Sequence, residues 1–206
     1  MPSLSEVSMN NNVAARGIKT RNLVRVGILG AVGFLLMFLS IPLSFIAPPF
    51  MKLDLSDVPA LVAGFAMGPS YGIMVQLVKN LLNATKTITG GVGELSNFIV
   101  GSTYVFIASI IYRKNKSMKS ALIGIVVGVL AMTTLAMASN YFVVFPLYAK
   151  LMIPMETIIG MGAAINPAID SLGKMMIISV LPFNLVKGAI NGLVTFIVYK
   201  RVRQYL

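Results

Sequence analysis

The sequence predicts an all-α polytopic membrane protein, a six-helix bundle with cytoplasmic N- and C-termini. Three observations lead there. The chain is 57% apolar and 11% charged, with a mean hydropathy of +0.86, whereas a soluble domain carries about 25% charged residues. Its basic residues gather in short groups at the ends of long uncharged runs, where membrane topology places them. Proline and glycine fall between those runs and punctuate them. The 206 residues suffice for one bundle, with little left for an extramembrane domain.

Residues 1–20 are polar and read as a flexible cytoplasmic tail, followed by a single domain over 21–206. Arg16, Lys19, Arg21 and Arg25 precede 26 uncharged residues, Val26 to Met51. About 20 residues cross the ~30 Å hydrocarbon core, so helix 1 is expected over 22–41. It is too long for a secretory h-region and reads as a retained helix. Pro42, Pro48 and Pro49 then break the pattern, and IPLSFIAPPFMKLDLSD reads as an apolar loop folded over the bundle mouth. Within helix 1, Gly27 and Ala31 form a small-xxx-small pair with Gly30 and Gly33 beside it. Such a face admits another membrane helix closely, or serves ordinary packing within the chain.

The next segment decides the topology. Val58 to Val78 is 21 uncharged residues, long enough for one span, but that reading puts the basic cluster at 113–119 outside. Gly68-Pro69 offers a break, giving a short helix at 56–67 and another at 70–83. Ser56 or Asp57 can cap the first, and Pro69 suits the start of the second. With this hairpin the inner segments hold eleven basic residues, in the groups 16–25, 113–119 and 200–203, against one acid, Glu6. The outer ends balance Lys52, Lys79, Lys86, Lys150 and Lys174 against Asp54, Asp57, Glu94, Glu156 and Asp170. That asymmetry is the positive-inside pattern.

Residues 84–92 form an outer loop loosened by Gly90-Gly91. Helix 4 is expected at 93–112 and a long helix 5 at 119–146, whose outer half, SNYFVVFPLY, is aromatic. Residues 150–169 read as a loop with a helical piece near 155–161. Helix 6 follows over 168–201, kinked at Pro182.

The composition excludes several kinds of chemistry. With no cysteine and no histidine, there is no thiolate or imidazole for catalysis or metal binding. P-loop and HExxH motifs are absent, so neither catalytic residues nor a metal site is expected. The net charge of +11 is spent on topology and does not signal nucleic acid. Asp54 and Asp57 can pair with Lys52 or with donors on a ligand, or act as caps and solvated groups.

What remains is a set of polar groups at matching outer depth: Asn80, Asn140, Asn184 and Lys187. Asn184 and Lys187 lie three apart and share one face of helix 6. A lysine inside a span costs ~3 kcal/mol or more unless it meets water, a partner or a ligand. Two accounts fit Lys187: it snorkels or pairs with a neighbouring helix, or it faces a ligand. Near Tyr141, Phe142, Phe145 and Tyr148, these groups suit a neutral, partly aromatic ligand rich in hydrogen-bonding groups.

Three phrases carry a family likeness: KLDLSDVPALVAGFAMGPSYGIMVQLVKNLLN at 52–83, SNYFVVFPLYAKLM at 139–152 and LPFNLVKG at 181–188. The chain after residue 20 resembles the riboflavin-specific substrate-binding subunit of energy-coupling factor (ECF) vitamin importers. The resemblance implies six helices in a bacterial cell membrane, cytoplasmic termini and a vitamin site near the outer face. It implies partners too, a transmembrane coupling subunit and two cytoplasmic ATPases. The coupling subunit would dock on the small face at Gly27 and Ala31, where this chain has a glycine in an AxxxA-type position. The ligand region would map to Pro49, Phe50, Lys52 and Asp54 in the loop after helix 1, and to Asn80, Asn140, Tyr141, Asn184 and Lys187. Riboflavin or its phosphate analogue (FMN) would be cargo, with no cofactor and no covalent step.

Overall fold

A computed structural model describes residues 4–87 and 89–202, with side chains over 20–87 and 89–201. Residues 1–3 and 203–206, including Arg203, lie outside the described residues, as do the side chains of Arg16 and Lys19. The fold is all-α, with one two-residue ladder.

Helix α1 (Leu4–Phe38) carries the first apolar span, Thr20–Phe38. A loop follows in which β1 (Ile41–Pro42) pairs antiparallel with β2 (Lys52–Leu53). The proline-rich segment between them is thereby pinned at both ends. Helices α2 (Asp57–Met67) and α3 (Pro69–Ala84) meet at Gly68, whose φ of 118° is open to glycine and strained for other residues. Pro69 takes the first position of α3, where a missing N–H costs nothing. A Cβ on Gly68 would lie 2.8 Å from Arg113 Nη1. The α2–α3 turn therefore sits at the same end of the bundle as the basic 113–119 segment.

Helix α4 (Val92–Asn115) runs antiparallel to α5 (Met118–Ser139), and theirs is the most extensive helix pairing in the fold. It is close because Gly124 and Gly128 rest on the backbone and ring of α4: a Cβ on Gly124 would lie 2.6 Å from Ala108 O. Two long helices pass through prolines without ending. After α5 the chain makes a π turn (Asn140–Val144) and continues as α6 (Phe145–Leu151), and after α8 (Leu172–Met175) it makes another (Met176–Val180) before α9 (Leu181–Val202). Pro146 and Pro182 lie two residues past these turns, and each removes one helical N–H and crowds the carbonyl four residues back. The π turns absorb that mismatch, so the span expected over 119–146 runs to Leu151. Between them α7 (Met155–Ala163) caps the connection.

Among the described residues four helices are long and apolar enough to cross a membrane: Thr20–Phe38, Val92–Asn115, Met118–Leu151 and Leu172–Arg201. Their outer surfaces are apolar, with Leu122, Val126 and Leu130 of α5 and Leu193 and Ile197 of α9 all exposed. The interior, by contrast, holds Asp57, Gln76, Lys79, Asn191 and Thr195, all buried. Apolar outside and polar within is the arrangement of a chain whose solvent is lipid. This is a multi-pass membrane protein.

Helix α1 sorts its small residues onto two faces. A Cβ on Gly30 would meet Val78 Cγ1 at 2.5 Å and one on Gly33 would meet Lys79 Cδ and Ser56 O at 3.3 Å, so both glycines serve packing within the chain. Gly27 has nothing within 4 Å of such a Cβ, and Gly27 and Ala31 are exposed.

Candidate functional site

At the end opposite the basic turns, the helices splay around a cavity of about 880 Å³. The loop between β1 and β2 forms one wall, the start of α4 a second, and α5, the π turn, α6 and α9 a third, with the 84–92 loop and single residues of α1, α2, α3 and α7 completing the lining.

The apolar side of the cavity is built by three rings. Phe50, carried by the loop, packs edge-on against Phe145 (centroids 5.8 Å apart) and Tyr148 (5.9 Å), which stack on each other at 6.4 Å. Each such pair is worth ~0.5–1.5 kcal/mol beyond area burial. Together they hold the loop down and offer an aromatic surface.

The polar side is built on charge. Lys187 Nζ donates to Asp54 Oδ2 (3.3 Å) and Asn97 Oδ1 (3.4 Å). Both contacts are long for hydrogen bonds to or from a charged group, so the ammonium is held between partners without being saturated by either. Lys187 is 11% exposed and lines the cavity. Asp54 is fixed further: its Oδ1 accepts from Ser56 N (2.9 Å), and its backbone carbonyl accepts from Asn191 Nδ2 (2.8 Å). Just below, Asp57 accepts from Lys79 Nζ (2.6 Å) and Gln76 Nε2 (2.8 Å), and Lys79 also donates to Ser56 Oγ (2.7 Å). Two carboxylates and two ammoniums thus form a floor with no net charge.

Asn140 and Asn184 line the cavity from the two long helices. Each donates Nδ2 to the carbonyl four residues earlier, Ala136 O (2.7 Å) and Val180 O (2.8 Å). A carbonyl partner requires the nitrogen, so the orientation of both amides is set, and Oδ1 is the atom each can offer as an acceptor. Asn140 opens the first π turn and Asn184 is anchored on Val180, the last residue of the second, and this rare helical form recurs at functional sites.

Seven of the residues mapped from the sequence line this cavity: Pro49, Phe50, Lys52, Asp54, Asn140, Asn184 and Lys187. Two do not. Asn80 is buried behind the lining, donating to Gln76 O (2.8 Å) and accepting from Asn97 Nδ2 (3.1 Å). It orients the asparagine that Lys187 touches. Tyr141 is 42% exposed and packs edge-on against the exposed Phe142, outside the lining. Of the alternatives open for Asp54 and Asp57, the pairing with Lys52 is not the one found: Lys187 pairs with Asp54 and Lys79 with Asp57. Ser56 stands at the start of α2, yet its side chain makes no cap hydrogen bond and serves Lys79 instead.

Sequence reasoning missed Asn97, Glu94 and the Lys79–Asp57 pair. Glu94 faces the cavity and gathers the 84–92 loop: Asn83 Nδ2 (3.0 Å), Thr87 Oγ1 (2.8 Å) and Thr89 Oγ1 (3.0 Å) donate to it. A loop expected to be loosened by Gly90-Gly91 is thereby tied. The available signal was periodicity, for Gln76, Lys79, Asn80 and Asn83 recur at helical spacing on α3, as Asn184, Lys187, Asn191 and Thr195 do on α9.

The cavity offers an aromatic wall, acceptor oxygens and the ammoniums of Lys187, Lys52 and Lys86, with the β1–β2 loop as one side. Among the described residues no group of three or more acids could hold a metal. Fold and site together define a multi-pass membrane protein with a cavity, aromatic on one side and polar on the other, at one end of its helices. Residues 21–199 match the family model described as "ECF transporter, substrate-specific component", and the chain belongs to that family. It is a transporter component, not an enzyme.

Relatives agree over nearly the whole chain. The riboflavin transporter RibU of Staphylococcus aureus (strain TCH60) is 34% identical over 188 residues, covering 91% of this chain and 93% of the relative. The riboflavin transporter FmnP of Bacillus subtilis (strain 168) is 30% identical, covering 92% and 95%. A solved structure titled "Structure and mechanism of the S component of a bacterial ECF transporter" superposes with a TM-score of 0.71 at 33% identity, covering 91% of this chain and 98% of that one.

Proposed function

We propose that this chain is the riboflavin-binding subunit of an ATP-driven ECF vitamin importer. The cavity carries the reading: an aromatic wall of Phe50, Phe145 and Tyr148 faces acceptor amides and the Asp54–Lys187–Asn97 cluster. An isoalloxazine ring suits the aromatic side, and its polar edge and the ribityl hydroxyls suit the amides and Lys187. The ligand-contact set is Pro49, Phe50, Lys52, Asp54, Asn140, Asn184 and Lys187, with Asn80 acting through Asn97. Relatives named as riboflavin transporters support the choice of vitamin. The protein purified from riboflavin-supplied cells should be yellow, with flavin absorption bands. A colourless protein that fails to quench flavin fluorescence on titration would overturn the assignment.

In this reading residues 21–206 form one domain of six helices, α2 and α3 being two short ones, preceded by a tail at 1–20. Both termini and the basic 113–119 segment face the cytoplasm, and the cavity faces outward. The absence of native cysteine makes the orientation testable: Ser117→Cys should react with a membrane-impermeant maleimide only in inside-out vesicles, and labelling from the outside would reverse the topology.

The chain works with a separate transmembrane coupling subunit and two ATPases, which return the loaded subunit toward the cytoplasm. Gly27 and Ala31, exposed on α1 with open space beside Gly27, are the docking face for the coupling subunit. Gly27→Leu and Ala31→Leu should leave riboflavin affinity within about twofold of the original, since neither touches the cavity. Both should reduce co-purification of the partners and uptake, and normal assembly in both would remove the docking role.

A further inference from the structure

Lys79 is completely buried, does not line the cavity, and sits among the largest buried side chains of the bundle. Its aliphatic stem passes Gly33 of α1, where a Cβ would come within 3.3 Å of Lys79 Cδ. Its ammonium ends between two acceptors on consecutive residues, Ser56 Oγ at 2.7 Å and Asp57 Oδ1 at 2.6 Å. An ion pair this deep is a poor way to gain stability, because apolar residues of the same volume usually serve as well or better. What the pair does supply is direction. It grips Ser56 and Asp57, and Ser56 N in turn donates to Asp54 Oδ1 at 2.9 Å. The other carboxylate oxygen of Asp54 faces Lys187.

We propose that Lys79 is a positioning residue of the ligand site: by gripping Ser56 and Asp57 it holds Asp54 opposite Lys187 and so sets the ammonium that the ligand meets. The chain of contacts is short and continuous, from α3 through the start of α2 to α9. Asn191 closes it from the far side by donating to the Asp54 carbonyl at 2.8 Å. With Lys79 gone, Asp54 keeps its charge but loses its register against α9, and Lys187 loses one of the two partners between which it is held. This inference rests on the riboflavin-binding reading above.

The test uses the full chain in detergent, with riboflavin fluorescence quenching as the measure of affinity. Lys79→Met alone strands a buried carboxylate, so the informative variant is Lys79→Met/Asp57→Asn, which removes both charges together. It should remain folded and monodisperse while binding riboflavin about tenfold more weakly or worse. Combined with Lys187→Ala, it should add less than about twofold to the loss from Lys187→Ala alone, because both act through one ammonium. Affinity restored to the original level in the neutral variant would show charge compensation only and overturn the proposal. So would losses that multiply in the combined variant. Should the neutral variant fail to fold, Ser56→Ala leaves both charges in place and removes one arm of the grip. It should then weaken binding about threefold in a protein that remains folded and monodisperse, and unchanged affinity would overturn the proposal. An original protein that binds no riboflavin would instead sink the functional reading itself.

Discussion

Lys187→Ala is expected to weaken riboflavin binding by about tenfold or more, the loss of one hydrogen bond from a charged donor being worth ~1.5–3 kcal/mol. The lysine is 11% exposed and lines the cavity, and its contacts to Asp54 and Asn97, at 3.3 and 3.4 Å, leave it free to shorten a bond to a ligand acceptor. The substitution also leaves Asp54, itself 7% exposed, without its ion-pair partner. Thermal stability must therefore be followed alongside affinity, since stranding a buried charge destabilises by ~3–5 kcal/mol. Lys187→Ala/Asp54→Asn removes that penalty, and its comparison with Asp54→Asn alone isolates the lysine's contact to the ligand. Original affinity in a folded Lys187→Ala protein would make the lysine a structural partner of Asp54 alone.

Gly72→Leu is expected to prevent the native bundle from forming. Gly72 sits where α2, α3 and α4 cross, and a Cβ there would meet Val105 Cγ1 at 2.4 Å, Ala60 O at 2.8 Å and Gly64 Cα at 3.0 Å. Val105 can turn aside, but the other two atoms are backbone. Overpacking a well-filled core typically costs ~1–3 kcal/mol, and here the clash also separates the two short helices that carry Asp57 and Lys79. Loss of the monodisperse peak in size-exclusion chromatography, together with loss of flavin binding, is the expected result. A folded Gly72→Leu protein with ordinary affinity would contradict the tight crossing. Gly27→Leu is the natural control, being the same substitution on the open face of α1.

Much of the fold was legible in the sequence because membrane structure follows from composition and spacing. Uncharged runs between basic clusters located the spans, and Gly68-Pro69 marked the break between α2 and α3, because few residues other than glycine tolerate a φ of 118°. Several boundaries moved: α1 begins at Leu4 rather than 22, α4 runs to Asn115 rather than 112, and one shift falls at a proline. The span expected over 119–146 is carried on to Leu151 by the π turn at Asn140–Val144.

That same turn explains why aromatic composition could not locate the wall of the cavity. Successive residues of an α-helix are separated by ~100°, so an extra residue in one turn shifts the facing of everything beyond it. Tyr141, one residue on from the lining Asn140, points outward, and the extra residue of the turn brings Phe145 and Tyr148 beyond it onto the lining. The asparagines show the same limit: Asn140 and Asn184 reach the lining, whereas Asn80, alike in type and in expected depth, is taken up by Asn97 and the backbone of its own helix.

By itself the sequence determined that this chain lives in lipid, where its helices run, and that its scarce polar residues must be sheltered. These follow from transfer energies, which each residue carries wherever it sits. Only the tertiary structure decided which polar residues meet. Lys79 finds Asp57 from 22 positions away and Lys187 finds Asp54 from 133. Pairing of that kind depends on how helices pack and in which phase they face one another, and a single chain of letters records neither.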